Sequence, residues 1–253
     1  MSDASSREPA ARATVSPAGN PTGSPAVATR EPSEDPHYRA AVVDLLGALA
    51  YGELSAFERL AEDAKLAPSL EDKAALAAMA SAEFGHFACL RDRLGELGTD
   101  PVAAMQPFVG PVDAFHAYTA PSDWLEGLVK AYVGDGLAAD FYREVAAFLD
   151  ADTKTLVLDT LADTGHSAFV VDRVRRAIEA QPAVAGRLAL WARRLMGEAL
   201  SQAQRVAAER NALSTLLAGD ADRPGMDLAA VGHMFARLTE NHTRRMAALG
   251  LQA

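Results

Sequence analysis

Apolar residues recur at three- and four-residue intervals along most of the chain, the spacing of helices that bury one face. The first stripe reads Val42, Leu45, Leu46, Leu49, Ala56, Phe57 and Leu60 and begins near Tyr38. Pro68 closes it, and Ser69, with Asp72 three residues on, has the form of an N-cap for a second helix. That helix carries Leu76, Met79, Phe87, Leu90, Leu94 and Leu97, and Gly98 follows as a C-cap glycine. Residues 98–121 contain Pro101, Pro107, Pro111 and Pro121 and read as a long connection that crosses a bundle from end to end. Ser122 or Asp123 caps a third helix over about 124–149, and further helices follow over about 154–180, 183–217 and 228–249. No segment alternates as a strand does. The predicted architecture is all-α: a four-helix bundle of two hairpins, a long crossover between them, and two additional C-terminal helices.

Composition adds a boundary. Residues 1–36 hold six of the 13 prolines, no aromatic residue, and only Val15 and Val27 as branched aliphatics. Such a segment cannot bury enough apolar surface to offset its chain entropy, so it is expected to be a disordered tail ahead of a helical domain over 37–253. Aromatics at 6% suit helices better than sheets. A single cysteine, Cys89, excludes an intrachain disulfide and a cysteine metal cluster, which suits a cytoplasmic protein. No run of about 18 apolar residues predicts a membrane span. The net charge of −10 argues against a protein that coats nucleic acid through its overall field.

The informative residues are charges on apolar stripes. Glu53 lies four residues after Leu49 and four before Phe57, so it points inward on the first helix, and Glu83 stands four after Met79 and four before Phe87 on the second. His86 shares the Glu83 face, one turn on. A buried lone carboxylate is costly, so each Glu needs a proton, a cation or a metal. The second half repeats the first. Ala50-Tyr51-Gly52-Glu53 matches Tyr132-Val133-Gly134-Asp135, and Glu83-Phe84-Gly85-His86 matches Asp163-Thr164-Gly165-His166. Two adjacent iron or manganese ions need this inventory: hard oxygen ligands, some of them bridging, and one imidazole apiece. Glu53, Glu83, His86, Asp135, Asp163 and His166 are therefore the candidate metal ligands, with Asp140 as the alternative to Asp135. Glu198 is either a supporting residue or a surface charge. Tyr51, Tyr132 and Tyr142 are core phenols or hydrogen-bond donors near the site, and Cys89 reads as a core filler. His116, His233 and His242 read as structural, and the carboxylate-x-x-His spacings of Glu34–His37 and Asp113–His116 are set aside as ligands.

With that pattern, residues 38–200 resemble the ferritin-like di-iron carboxylate superfamily. More narrowly they resemble the MiaE-like family of tRNA 2-methylthio-isopentenyl-adenosine hydroxylases. The resemblance implies a non-haem di-iron monooxygenase that uses dioxygen and an external electron donor. It maps the family's first two carboxylates to Glu53 and Glu83 unchanged, and the third and fourth to Asp135 and Asp163, each one methylene shorter. It also implies tRNA as a partner, and residues 173–210, with eight Arg against three acidic residues, are either a basic surface for it or a set of solvated helix faces. Two other functions stay open: a ferroxidase or iron-binding protein with the same ligands, and a metal-free helical binding protein, which the two Asp replacements favour. No membrane partner is expected, and a monomer or dimer is.

Overall fold

The computed structural model describes residues 35–161, 166–219 and 225–252. The expected tail therefore lies almost wholly outside the described residues, and so does Asp163. Nine α-helices are present among the described residues: α1 (Pro36–Asp63), α2 (Leu70–Glu96), α3 (Pro101–Tyr118), α4 (Trp124–Val145), α5 (Ala151–Thr160), α6 (His166–Ala180), α7 (Val184–Glu209), α8 (Asn211–Ala218) and α9 (Leu228–Ala248). The chain is all-α, as its periodicity requires.

Helix starts are fixed locally. Asp35, Ser69, Asp100, Asp123, Asp150 and Asp227 each accept a hydrogen bond from a backbone N–H of the first turn, at 2.7–3.1 Å. These side chains satisfy donors that a helix end leaves without partners, and the acids also face the positive end of the helix dipole. Pro36 and Pro101 sit in first turns, where a missing N–H costs nothing. After α2 the chain turns at Gly98, whose φ of 70° is the left-handed cap conformation.

The crossover differs from expectation. Residues 101–118 form a helix with Pro107 and Pro111 inside it. The two prolines are four residues apart, so the missing backbone donors fall along one side. Ala104, Met105, Phe108 and Pro111 are buried, and packing against α1 holds the helix despite its weakened ladder. The approach is close at Gly47, where a Cβ would run into the carbonyl of Ala104. Gly47→Ala should therefore push α3 off α1 and cost roughly 1–3 kcal/mol, read from denaturant unfolding of the purified chain. An unchanged midpoint would mean that α3 is not held at this contact.

Two predicted helices are also divided. The fourth is described as α5, which ends at Thr160, and α6, with residues 162–165 outside the described residues, and the fifth breaks at Arg210, whose φ of −120° and ψ of 83° leave the helical region. Arg210 there pairs with buried Asp44 of α1, and its Nε lies 3.1 Å from Asp44 Oδ2.

Packing of α1 on α2, of α4 on α6 and α7, and of α9 on α4 encloses two apolar clusters. One gathers Leu60, Leu76, Met79, Leu128, Val133, Val170, Leu195 and Met246. The other gathers Val42, Leu45, Leu46, Leu49, Phe87, Leu90 and Val157. The sequence positions of Glu53, between Leu49 and Leu60, and of Glu83, between Met79 and Phe87, place both acids at the seam between the clusters. One stretch, Pro36–Leu66, is long and apolar enough to cross a membrane, and half of its most apolar window is buried inside the protein. Its apolar face is core.

Candidate metal centre

α1 and α2 bring Glu53, Glu83 and His86 together. Their ligand atoms lie within 4.8 Å of one another. His86 Nδ1 is 3.3 Å from Glu83 Oε2 and 3.6 Å from Glu53 Oε2. The Glu side chains are each 13% exposed and that of His86 is 22% exposed. The i, i+3 spacing on α2 supplies Glu83 and His86 from adjacent turns, and the facing turn of α1 supplies Glu53.

The electrostatics follow from that crowding. Burial pushes the Glu53 carboxyl well above the usual range, and a hydrogen bond with Glu83 adds to it. Glu83 is drawn the other way: burial raises it, but His86, Glu53 and His166 together leave it below its ordinary value. The two carboxyls are thus pushed apart, Glu53 toward the neutral form and Glu83 toward the ionised form, as crowding of two like charges favours. His86 is pushed up to about 10 by its contacts with Glu53 and Glu83. The cluster's donors are two hard carboxylates and an imidazole whose Nδ1 lies within 3.6 Å of both, a set that suits a divalent cation. The donor set fits iron or manganese.

The remaining predicted ligands are placed less tightly. His166 lies on α6, within electrostatic reach of Glu83. Asp135 is on α4, exposed, and stands outside the group of three, although it is engaged in a further interaction. Asp140, the alternative, is 2.6 Å from Arg245 and 3.3 Å from Arg143. Those two cations already satisfy it. Tyr142 of α4 is beside Glu53: burial, and the Glu53 charge after it, raise its phenol. Tyr51 instead donates to Asp113 Oδ1 at 2.7 Å and is pushed up to about 12 by burial and that bond. Glu198 accepts from Gln202 at 2.8 Å, within α7. Cys89 is exposed, not a core filler, because α2 turns it away from the apolar stripe.

Three aromatic rings beside the acids went unrecognised as a unit in the sequence. Phe57 and Phe84 have centroids 5.3 Å apart, and Phe84 and Phe87 are 5.6 Å apart. Phe57 is one turn beyond Glu53, and Phe84 follows Glu83. The signal was present as two aromatics bracketing the carboxylate-x-x-His motif, but only the fold brings Phe57 to them.

The eight arginines of 173–210 are all engaged within the chain. Arg173 holds Asp72 at 2.6 Å and Glu71 at 3.0 Å. Arg175, Arg193 and Arg194 donate to the carbonyls of Ala248, Gln252 and Tyr118 at 2.7, 3.1 and 2.6 Å. Arg176 and Arg205 pair with Asp172 and Glu209, Arg187 with Asp123 and Glu126, and Arg210 with Asp44. Arg176 and Arg205 pair within their own helices, and the others tie their segments to neighbouring parts of the chain.

A helical bundle with a carboxylate–histidine cluster between its first two helices defines a ferritin-like protein. The family described as "Ferritin-like domain, actinomycetes" matches residues 36–220, and the chain belongs to that family. No curated protein matches the sequence. Among solved structures, a Synechococcus protein titled "Protein 19 with aldehyde deformylating oxidase activity" superposes with a TM-score of 0.65 at 17% identity, covering 88% of this chain and 95% of its own. The likeness is one of fold.

Proposed function

We propose that the protein is an oxygen-dependent oxidase built on a two-metal carboxylate centre, with Glu53, Glu83 and His86 at one half and Asp135, Asp163 and His166 at the other. The observation that carries this reading is the convergence of two carboxylates and an imidazole on one partly buried point. The solved fold relative is titled an oxidase, which agrees with it.

Bound iron or manganese supplies the reduction of dioxygen, for which side chains have no redox capacity. As a monooxygenation the reaction balances when one oxygen atom enters a C–H bond and the other leaves as water, with two electrons and two protons from an external reductant such as a reduced iron–sulfur or flavin protein. The chain's own residues set the conditions. Glu53 and Glu83 would supply carboxylate oxygens to bound cations, and His86 would offer its Nδ1 once that atom is free of its proton. Tyr142 lies within electrostatic reach of Glu53, and its phenol, raised by burial and that charge, is held in the protonated form at neutral pH. Phe57, Phe84 and Phe87 screen the centre on the α1–α2 side.

Protein expressed with iron, or reconstituted anaerobically, should hold about two metals per chain and consume dioxygen when supplied with reductant. Elemental analysis and an oxygen electrode measure both. A reconstituted chain with neither iron nor manganese overturns the reading.

A further inference from the structure

A groove of about 440 Å³ runs along the outer face of the α1–α2 hairpin. Phe57, Ala61 and Ala64 form one wall and Ala77, Ala80 and Phe84 the other. Alanines on both helices leave a trough where longer side chains would meet, and Ala64 and Ala80 form its buried floor, each at most 6% exposed. Phe84 stays 44% exposed, an uncommon state for a large apolar ring on a soluble surface.

The two ends of the groove differ. At one end the Phe57–Phe84 pair closes it beside Glu53 and Glu83. At the other stands Lys73, in the first turn of α2. Its neighbours Glu71 and Asp72 are both taken by Arg173, so no adjacent acid compensates it, and among the described residues its ammonium has no hydrogen bond or ion pair. The N-terminal end of α2 adds positive potential there. Lys73 and Phe84 are eleven helical residues apart, which is about 16 Å.

We infer that this groove binds a single-chain anionic amphiphile of the fatty-acid class, with its carboxylate at Lys73 and its hydrocarbon tail directed along the alanine trough toward the carboxylate centre. The inference rests on the oxidase reading for its purpose, since it names the kind of molecule delivered to that centre. Charge complementarity at one end and an apolar lining over the rest select this ligand over a neutral or cationic one. The tail, not the head, is presented to the centre.

The test uses three ligands that share a chain and differ in head charge: dodecanoate, dodecanol and dodecyltrimethylammonium. Each is titrated by calorimetry into the full-length protein below its micelle concentration. The expected order of affinity is dodecanoate, then dodecanol, then the cation. Lys73→Glu should weaken dodecanoate by about ten-fold, because reversing one end charge doubles the loss of an exposed ion pair, and should move the cation ahead of it. Ala77→Phe, at an exposed position, should fill the trough and abolish binding of all three. Failure to bind any of them, an order that Lys73→Glu leaves unchanged, or affinities indifferent to Ala77→Phe would overturn the inference. So would sizing that shows a dimer which Ala77→Phe turns into a monomer, because a second copy would then occupy the groove. Neither variant touches the centre, so metal content should match the parent. Loss of amphiphile binding with metal intact therefore counts against this inference alone, and absence of metal counts against the oxidase reading.

Discussion

Glu53→Gln is expected to make the metal-free protein more stable and to strip it of most of its metal. The two effects share one cause. Glu53 and Glu83 are packed so closely that burial and their mutual hydrogen bond raise the Glu53 carboxyl, and keeping the pair without a cation costs free energy. A neutral amide of the same shape relieves that cost. The gain should be on the order of 1 kcal/mol, or about 2–4 °C in Tm for a domain of this size. The same amide lacks the charge and the second hard oxygen that a shared cation needs. Removing even a group that only supports a ligand lowers metal affinity by about 10–100-fold, so the loss here should exceed about 100-fold. Oxygen consumption should fall with it.

The pH dependence has a defined sign. In the metal-free chain, His86 is raised from 6.5 to about 10, so its contribution to stability is full below pH 6.5 and is lost as the pH rises toward 10. Glu53, raised above 4.5, acts in the same direction, because its folded form holds a proton that the unfolded chain releases. Tm of the metal-free chain should therefore decline between pH 6.5 and 10. The decline should be shallower in Glu53→Gln, where His86 keeps only Glu83 as a partner. Metal uptake should follow the opposite trend, strengthening over the same interval as the competing proton leaves His86. Thermal scans with and without metal across that range measure both. Full metal retention by Glu53→Gln would remove Glu53 from the ligand set.

Residues whose job is local could be read from the sequence, and those whose job is tertiary could not. Glu53, Glu83 and His86 stood out because a charge on an apolar stripe is anomalous within a few residues of itself, and the fold places them together. The caps at Ser69 and Asp123 are likewise local. Residues 101–118 were read as irregular because Pro107 and Pro111 weaken a helix, and the burial against α1 that outweighs this comes from distant residues. The acceptors of the arginines of 173–210, such as Asp72, Asp123 and Asp44, are far away in sequence, and several of their partners are backbone carbonyls that no sequence pattern marks, so these pairings could not be read in advance. Arg210 belongs to the same class: its pairing with Asp44 accompanies a break inside what reads as one continuous helix. Asp135 and Asp140 share α4 and five residues of separation, and no periodicity separates them. Their surroundings do differ: Asp140 is paired with Arg245, more than 100 residues away on α9.

Arg245→Met is accordingly expected to be the most destabilising single charge removal in the protein, and to leave the centre intact. The Asp140 side chain is 8% exposed and that of Arg245 is 14% exposed, at 2.6 Å. The approach is possible because Gly136, one turn before Asp140, has no Cβ, and one built there would come within 2.6 Å of the Arg245 side chain. Removing the guanidinium leaves a buried carboxylate with only Arg143, which is 3.3 Å away and half exposed. Breaking one side of a buried pair typically costs about 3–5 kcal/mol, and Tm should fall by about 10 °C. Arg237→Met, which removes an exposed guanidinium from Glu144 on the same α4–α9 contact, should cost less than about 1 kcal/mol. The double variant Arg245→Met with Asp140→Leu should recover most of the loss, because the penalty comes from the stranded charge and not from the missing attraction. If the double variant is as unstable as the single one, the pair is not the source of the effect. Metal analysis of the double variant answers a second question. With Asp140 engaged by Arg245, metal content should match the parent, whereas a loss of metal on replacing Asp140 would transfer the proposed α4 ligand from Asp135 to Asp140.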